Sequence, residues 1–220
     1  MENETSTLKV TAERLGTIKE IKELLTDFEN AYNSIYAFEF LVDTLSEDRE
    51  RRRKLIKEEF RYIEKKLERP EPYWFDFLDN RYLFRNYENS TNLLEILNKI
   101  DIEKIILPTE RLSISRVNIQ SPGFWEFLGS LNPLQQIREY IKDRHERKKD
   151  NRYRSRQEEE LGDLNIMKEK NNVLSQRIEI LRGLGYSEVQ IRELVIKMVI
   201  EPLNKLGEHQ DKGQIEGLEN

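Results

Sequence analysis

The chain has 220 residues, 37% hydrophobic and 36% charged, with 37 Lys+Arg against 42 Asp+Glu and a net charge of −5. Average globular domains are nearer ~45–50% apolar and ~25% charged, so a small core carrying long solvated helices is predicted. The balance excludes a bulk polycation built for nucleic acid, and the absence of Cys excludes disulfides, thiolate metal sites and a cysteine nucleophile.

Met1-Glu2-Asn3-Glu4 is acidic and has no apolar h-region, unlike a secretory signal. No run reaches the ~18–20 apolar residues of a membrane span. A soluble, cytoplasmic protein is the expectation.

Leu8, Val10 and Ala12 alternate with Lys9, Thr11 and Glu13, the pattern of a half-exposed strand. Thr17-x-x-Glu20 is a capping box. Behind it Ile21, Leu24, Leu25, Phe28, Tyr32, Ile35, Phe38, Val42 and Leu45 step by three and four, predicting the central core helix. Ser46 is read as the cap of a second helix over about 47–67, which Pro70 and Pro72 stop. The aromatic run Tyr73-Trp74-Phe75-Asp76-Phe77-Leu78 reads as core, with base stacking as the functional alternative. Ser90 or Thr91 caps a short helix over Leu93 to Ile100.

Ile105-Ile106-Leu107 and Leu112 to Ile119 are predicted strands either side of a Pro108 turn, the second pairing with 8–12 and slipping register between Ile114 and Val117. Ser121-Pro122 and Asn132-Pro133 each read as a helix start. From Asn132 a single helix is predicted up to Gly183; about 50 residues at 1.5 Å each would span about 75 Å. Leu164, Met167, Asn171, Leu174, Ile178 and Leu181 form a coiled-coil seam along it, with Asn171 its polar position. Ser187-x-x-Gln190 caps a return helix, and the short link predicts an antiparallel hairpin.

Together these elements predict an α+β, predominantly helical fold: a small two- or three-stranded sheet packed on helices, with a long C-terminal helix and an antiparallel return helix. Residues 1–130 would form an α+β head with a helical insert at about 46–101. Residues 131–208 would form the hairpin, and 209–220 a flexible acidic tail.

Two stretches stand out chemically. Over 138–156, nine Lys/Arg (138, 142, 144, 147, 148, 149, 152, 154, 156) face four acids (139, 143, 146, 150), a local excess of 9 − 4 = +5. Such a run is usually a solvated helix face; its functional reading is a nucleic-acid contact through Arg144, Arg147, Lys148, Lys149, Arg152, Arg154 and Arg156. Arg138 and His145 are separated by six residues, as in the loose R-x(4–6)-H pattern of the HEPN ribonucleases. That likeness would make His145 a proton donor or acceptor and Arg138 a phosphate ligand, without metal.

The segment 121–134 reads as an apolar corner packing the long helix on the core, with Phe124 and Trp125 as alternative anchors for a partner or a membrane surface. S-P-G-F-W-E-F-L-G-S-L-N-P-L, with D-R-H-E-R-K-K-D after it, resembles a pattern in uncharacterised bacterial proteins over roughly 112–156. The resemblance implies a bacterial, intracellular setting and no particular activity.

The expected function is a non-enzymatic helical interaction or self-association module, docking through the seam or through Phe124 and Trp125. Its partner would be another protein or a second copy. Nucleic-acid binding, HEPN-like RNA cleavage and peripheral membrane association are the alternatives. No cofactor, metal or small-molecule ligand is predicted.

Overall fold

The computed structural model of the chain describes residues 4–14, 16–66, 93, 105–149 and 172–219. Strand β1 (Thr5–Ala12) leads into helix α1 (Ile18–Lys66). A 3-10 turn (Pro108–Glu110) precedes strands β2 (Ser113–Asn118) and β3 (Gly123–Ser130). Helix α2 (Leu131–Lys149) follows, then α3 (Asn172–Gly183) and α4 (Glu188–Val195). A π-helical segment (Ile196–Ile200) joins α4 to α5 (Glu201–Asp211), and β4 (Gly217–Glu219) comes last. The fold is predominantly helical α+β, as expected, with one antiparallel sheet of order β2-β3-β1-β4.

Helix α1 supplies the stripe on which the rest packs. Leu24, Phe28, Ala31, Tyr32, Ile35, Phe38, Leu41 and Val42 are all at most 2% exposed, the three-and-four spacing of a core-facing helix. Its start matches the capping box: Thr17 Oγ1 accepts from Glu20 N at 3.3 Å and Glu20 Oε2 accepts from Thr17 N at 2.7 Å. These bonds and the neighbouring Arg14 hold the Glu20 carboxyl below its ordinary range. The expected break at Ser46 is absent. No Pro or Gly lies between Thr17 and Lys66, and an Arg51–Glu47 pair at 3.5 Å follows Ser46 on the continuing helix.

The sheet buries one face against this helix. Leu8 faces Phe127 and Val10 faces Trp125 across β1–β3, and Phe28 stacks on Phe127 with centroids 3.9 Å apart. Residues 123–130 form a strand, not a helix opened by Ser121-Pro122, because Gly123, Trp125, Phe127 and Gly129 alternate inward with period two. Strand β2 therefore pairs with β3, and β3 takes the place beside β1 that β2 was expected to fill. The register slip between Ile114 and Arg116 is present. The expected strand at 105–107 is missing: Ile105 is helical and Pro108 opens the 3-10 turn instead.

The end of the chain also departs from expectation. Gln214 and Ile215 are at most 1% exposed, and β4 pairs with β1 through Lys9↔Glu219 and Thr11↔Gly217. Gly213, at φ +74, makes the reversal between α5 and this strand. The start of the return helix is as read, with Ser187 and Gln190 forming a complete capping box on α4, and Leu174, Ile178 and Leu181 join the core. The seam positions Leu164, Met167 and Asn171, the middle of the predicted long helix and the readings at 67–92 and 94–104 lie outside the described residues. Between residues 67 and 104, Leu93 alone is described, and it is buried.

Gly129 is a packing constraint as well as a strand residue. A Cβ there would lie 2.8 Å from the Tyr32 ring, whereas one at Gly183 would meet nothing within 4 Å. Gly129→Ala should lower stability by about 1–3 kcal/mol through overpacking, and Gly183→Ala should leave it unchanged or slightly raised. Urea denaturation of the two variants checks the contrast.

Candidate functional site

Among the described residues, a cleft of about 980 Å³ lies between α2 and the β1–β4 side of the sheet. Helix α2 buries Leu134, Ile137, Tyr140 and Ile141. Its other stripe, Arg138, Lys142, His145 and Glu146, therefore forms one wall. Strand β1 turns Leu8, Val10 and Ala12 inward, so Thr7, Lys9 and Thr11 form the opposite wall. Glu126, in register with Lys9, and Glu216 to Leu218 complete the lining.

The electrostatics are mixed. Lys9, Arg138 and Lys142 carry positive charge, and Glu126, Glu146 and Glu216 balance it. Arg138 Nη2 donates to the Thr7 carbonyl at 2.7 Å, at the part of the β1 edge that β4 does not reach. Lys9 Nζ lies 4.2 Å from the Phe124 ring centroid, a cation–π contact. Glu126 Oε1 accepts from Ser115 Oγ at 2.7 Å. His145 comes close to β4, with Cε1 3.9 Å from where a Gly217 Cβ would lie.

The sequence-predicted residues divide accordingly. Arg138 and His145 share this cleft. Arg144 instead pairs with Asp211 at 2.8 Å, half-buried beside α5. Arg147, Lys148 and Lys149 belong to the last turn of α2, and their side chains lie outside the described set, as do Arg152, Arg154 and Arg156. Phe124 is half-buried beneath Lys9. Trp125, at 5% exposure, is a core residue and offers no anchor to a partner or membrane in this fold. Leu174, Ile178 and Leu181 are likewise spent on the core rather than on docking.

A second polar cluster was not singled out from the sequence. Tyr32 Oη accepts from Ser130 N at 2.7 Å and donates to the Glu110 carbonyl. Tyr36 Oη donates to the Glu110 carboxylate. Burial raises both tyrosines above their ordinary range. Glu39, 8% exposed, accepts from Gln136 Nε2 at 2.8 Å. Burial pushes its carboxyl up to about 7 against the opposing pull of Arg177 and the Gln136 and Asn132 amides. The available signal was positional: Glu39 lies four residues after Ile35 and three before Val42, on the apolar stripe itself.

Among the described residues no group of three or more His, Asp or Glu is placed to hold a metal ion, and no helix is long and apolar enough to cross a membrane. The chain matches no known family model, no curated protein and no solved structure.

The third wall of the cleft depends on two unequal ties. His209 is 2% exposed, with Nε2 2.9 Å from Asp27 Oδ2 and Nδ1 2.8 Å from Gln214 Oε1. Asp27→Ala leaves that buried ring nitrogen without its partner and should cost about 1–3 kcal/mol. Asp211→Ala breaks a partly exposed ion pair and should cost under about 1 kcal/mol. Thermal unfolding of the two variants, with proteolysis at 212–219 as a local readout, checks the order.

Proposed function

We propose that the chain is a non-enzymatic interaction module that self-associates through the outer edge of β2. One observation carries this reading: β2 ends the sheet, and its outer edge has no strand partner among the described residues. Five of its six residues are exposed. Ile114 and Val117, in register with core residues Phe127 and Trp125, remain 46% and 43% exposed, and neighbouring Ile119 is 71% exposed. Unpaired backbone donors and acceptors beside apolar side chains are what an added strand requires.

A second copy suits this edge. Set antiparallel against itself, Ser113 to Asn118 places Ile114 opposite Val117 of the other copy, twice, and opposes no like charges. We also propose a bacterial, cytoplasmic setting for the module, as the resemblance over roughly 112–156 implies. Light scattering over a concentration series should show a dimer. Ile114→Lys with Val117→Lys should return it to a monomer with stability changed by no more than about 0.5 kcal/mol. A native protein that stays monomeric at the highest concentration overturns self-association.

The cleft favours a second reading, binding of a phosphate-bearing ligand such as single-stranded RNA. Its supporting observation is that Arg138, Lys142 and His145 line one wall together. A phosphodiester there would meet two permanent cations and one group able to move a proton, which a metal-free cleavage needs. Anisotropy with labelled single-stranded RNA should show salt-dependent binding that Arg138→Ala with Lys142→Ala weakens. Absence of binding at low salt ends this reading, and cleavage that survives His145→Ala ends its catalytic form.

A further inference from the structure

Gln136 is 2% exposed, and its two amide atoms are treated differently by their surroundings. Nε2 donates to Glu39 Oε1 at 2.8 Å. Oε1 is buried and has no hydrogen-bond partner. An orphaned buried acceptor is costly, and an ionised carboxylate cannot relieve it because it has no proton to give. A neutral carboxylic acid can: its O–H donates to the amide oxygen while its other oxygen accepts from the amide nitrogen.

We propose that Glu39 is held as the neutral acid in the native fold and closes a two-bond ring with the Gln136 amide, making the α1–α2 joint proton-dependent. The charges around it do not replace the proton. On α1, Asp43 lies near Glu39 and opposes ionisation. The cation on α3, Arg177, bonds directly to Asp43 and so is already engaged. On the 3-10 turn, Glu110 is a further buried acid, joined to Tyr36. From α2 the facing groups, Asn132 and Gln136, are uncharged amides. Tyr32 and Tyr36 carry no charge at neutral pH and hold their protons more firmly still. Burial raises the Glu39 carboxyl to about 7, against the opposing pull of Arg177, Gln136 and Asn132.

The direction of the linkage follows. The folded state binds the Glu39 proton more tightly than the unfolded chain does, so its contribution to stability is complete below about 4.5 and is lost as pH rises through about 7. Glu39→Gln supplies an amide that reproduces the ring with no proton to lose. The ratio of native to Glu39→Gln unfolding constants should rise by up to about tenfold per pH unit between those limits and then level off.

Two measurements on the full chain test this. Carboxyl-carbon NMR of the native protein, with Glu39→Gln assigning the signal, should place the Glu39 midpoint near neutrality. Urea denaturation from pH 5 to 8 should show Glu39→Gln matching the native protein at the acid end and exceeding it above pH 7. A midpoint in the ordinary carboxylate range, or a Glu39→Gln protein that is less stable at every pH, overturns the proposal. The NMR titration does so even if the variant fails to fold.

Discussion

Burial of the α1 stripe is the constraint to which the other elements answer. A helix with inward-facing side chains from Leu24 to Val42 cannot stand alone in water, and each neighbour covers a different length of it. The sheet meets it through Phe28 on Phe127. Helix α2 meets it at Glu39 and Gln136, α3 at Asp43 and Arg177, and α5 at Asp27 and His209. Polar pairs thus mark the lines where three helices dock on one apolar surface. Their geometry selects a register that nondirectional burial alone would not.

The C-terminal helices show how the chain fits that surface without breaking. Pro202 has no N–H to give to the residue four earlier, so an ideal helix would falter there. The backbone widens first: Glu201 N donates to the Ile196 carbonyl, a five-residue step. The wider turn shifts the inward face by one residue. Val195, Met198, Val199, Ile200 and Leu203 are all buried as a result, a denser apolar row than a regular helix would turn to one side.

Much of this was legible because helix signals are local and repeated. The α1 stripe, the capping boxes at Thr17 and Ser187, and the inward Leu174, Ile178 and Leu181 each rest on several residues at helical spacing. The failures share a cause. Ser121-Pro122 and Asn132-Pro133 resemble helix starts taken singly, but only the second falls in the first turn of a helix, α2, which already begins at Leu131, and the first precedes strand β3. Its inward alternation, Gly123, Trp125, Phe127, Gly129, was carried by two glycines that look apolar only beside Ala12 and Tyr32. The tail follows the same logic. Its acidic, Gly-rich composition suggested fraying, but β1 offers an edge that strand pairing can cover, and pairing of that kind is nonlocal. Glu39 was lost among 42 acids until burial separated it from the rest.

The two edges of the sheet are finished differently, and that asymmetry bears on function. At the β1 side the last segment of the chain adds β4, and Arg138 takes the Thr7 carbonyl beyond its reach. The outermost strand on that side is then β4, only three residues long, against six for β2. At the β2 side the finish is slight: a register irregularity beside Ser115 and one charged residue, Arg116, opposite Glu126. Bulges and charges are devices that discourage indiscriminate strand addition. Here they leave Ile114 and Val117 partly exposed on the core side of the sheet. An incoming strand must accommodate the irregularity and bury both apolar residues at once. In the self-association proposed above, a second β2 would bring the same irregularity and the same two side chains in reverse order, so that Ile114 of one copy would meet Val117 of the other.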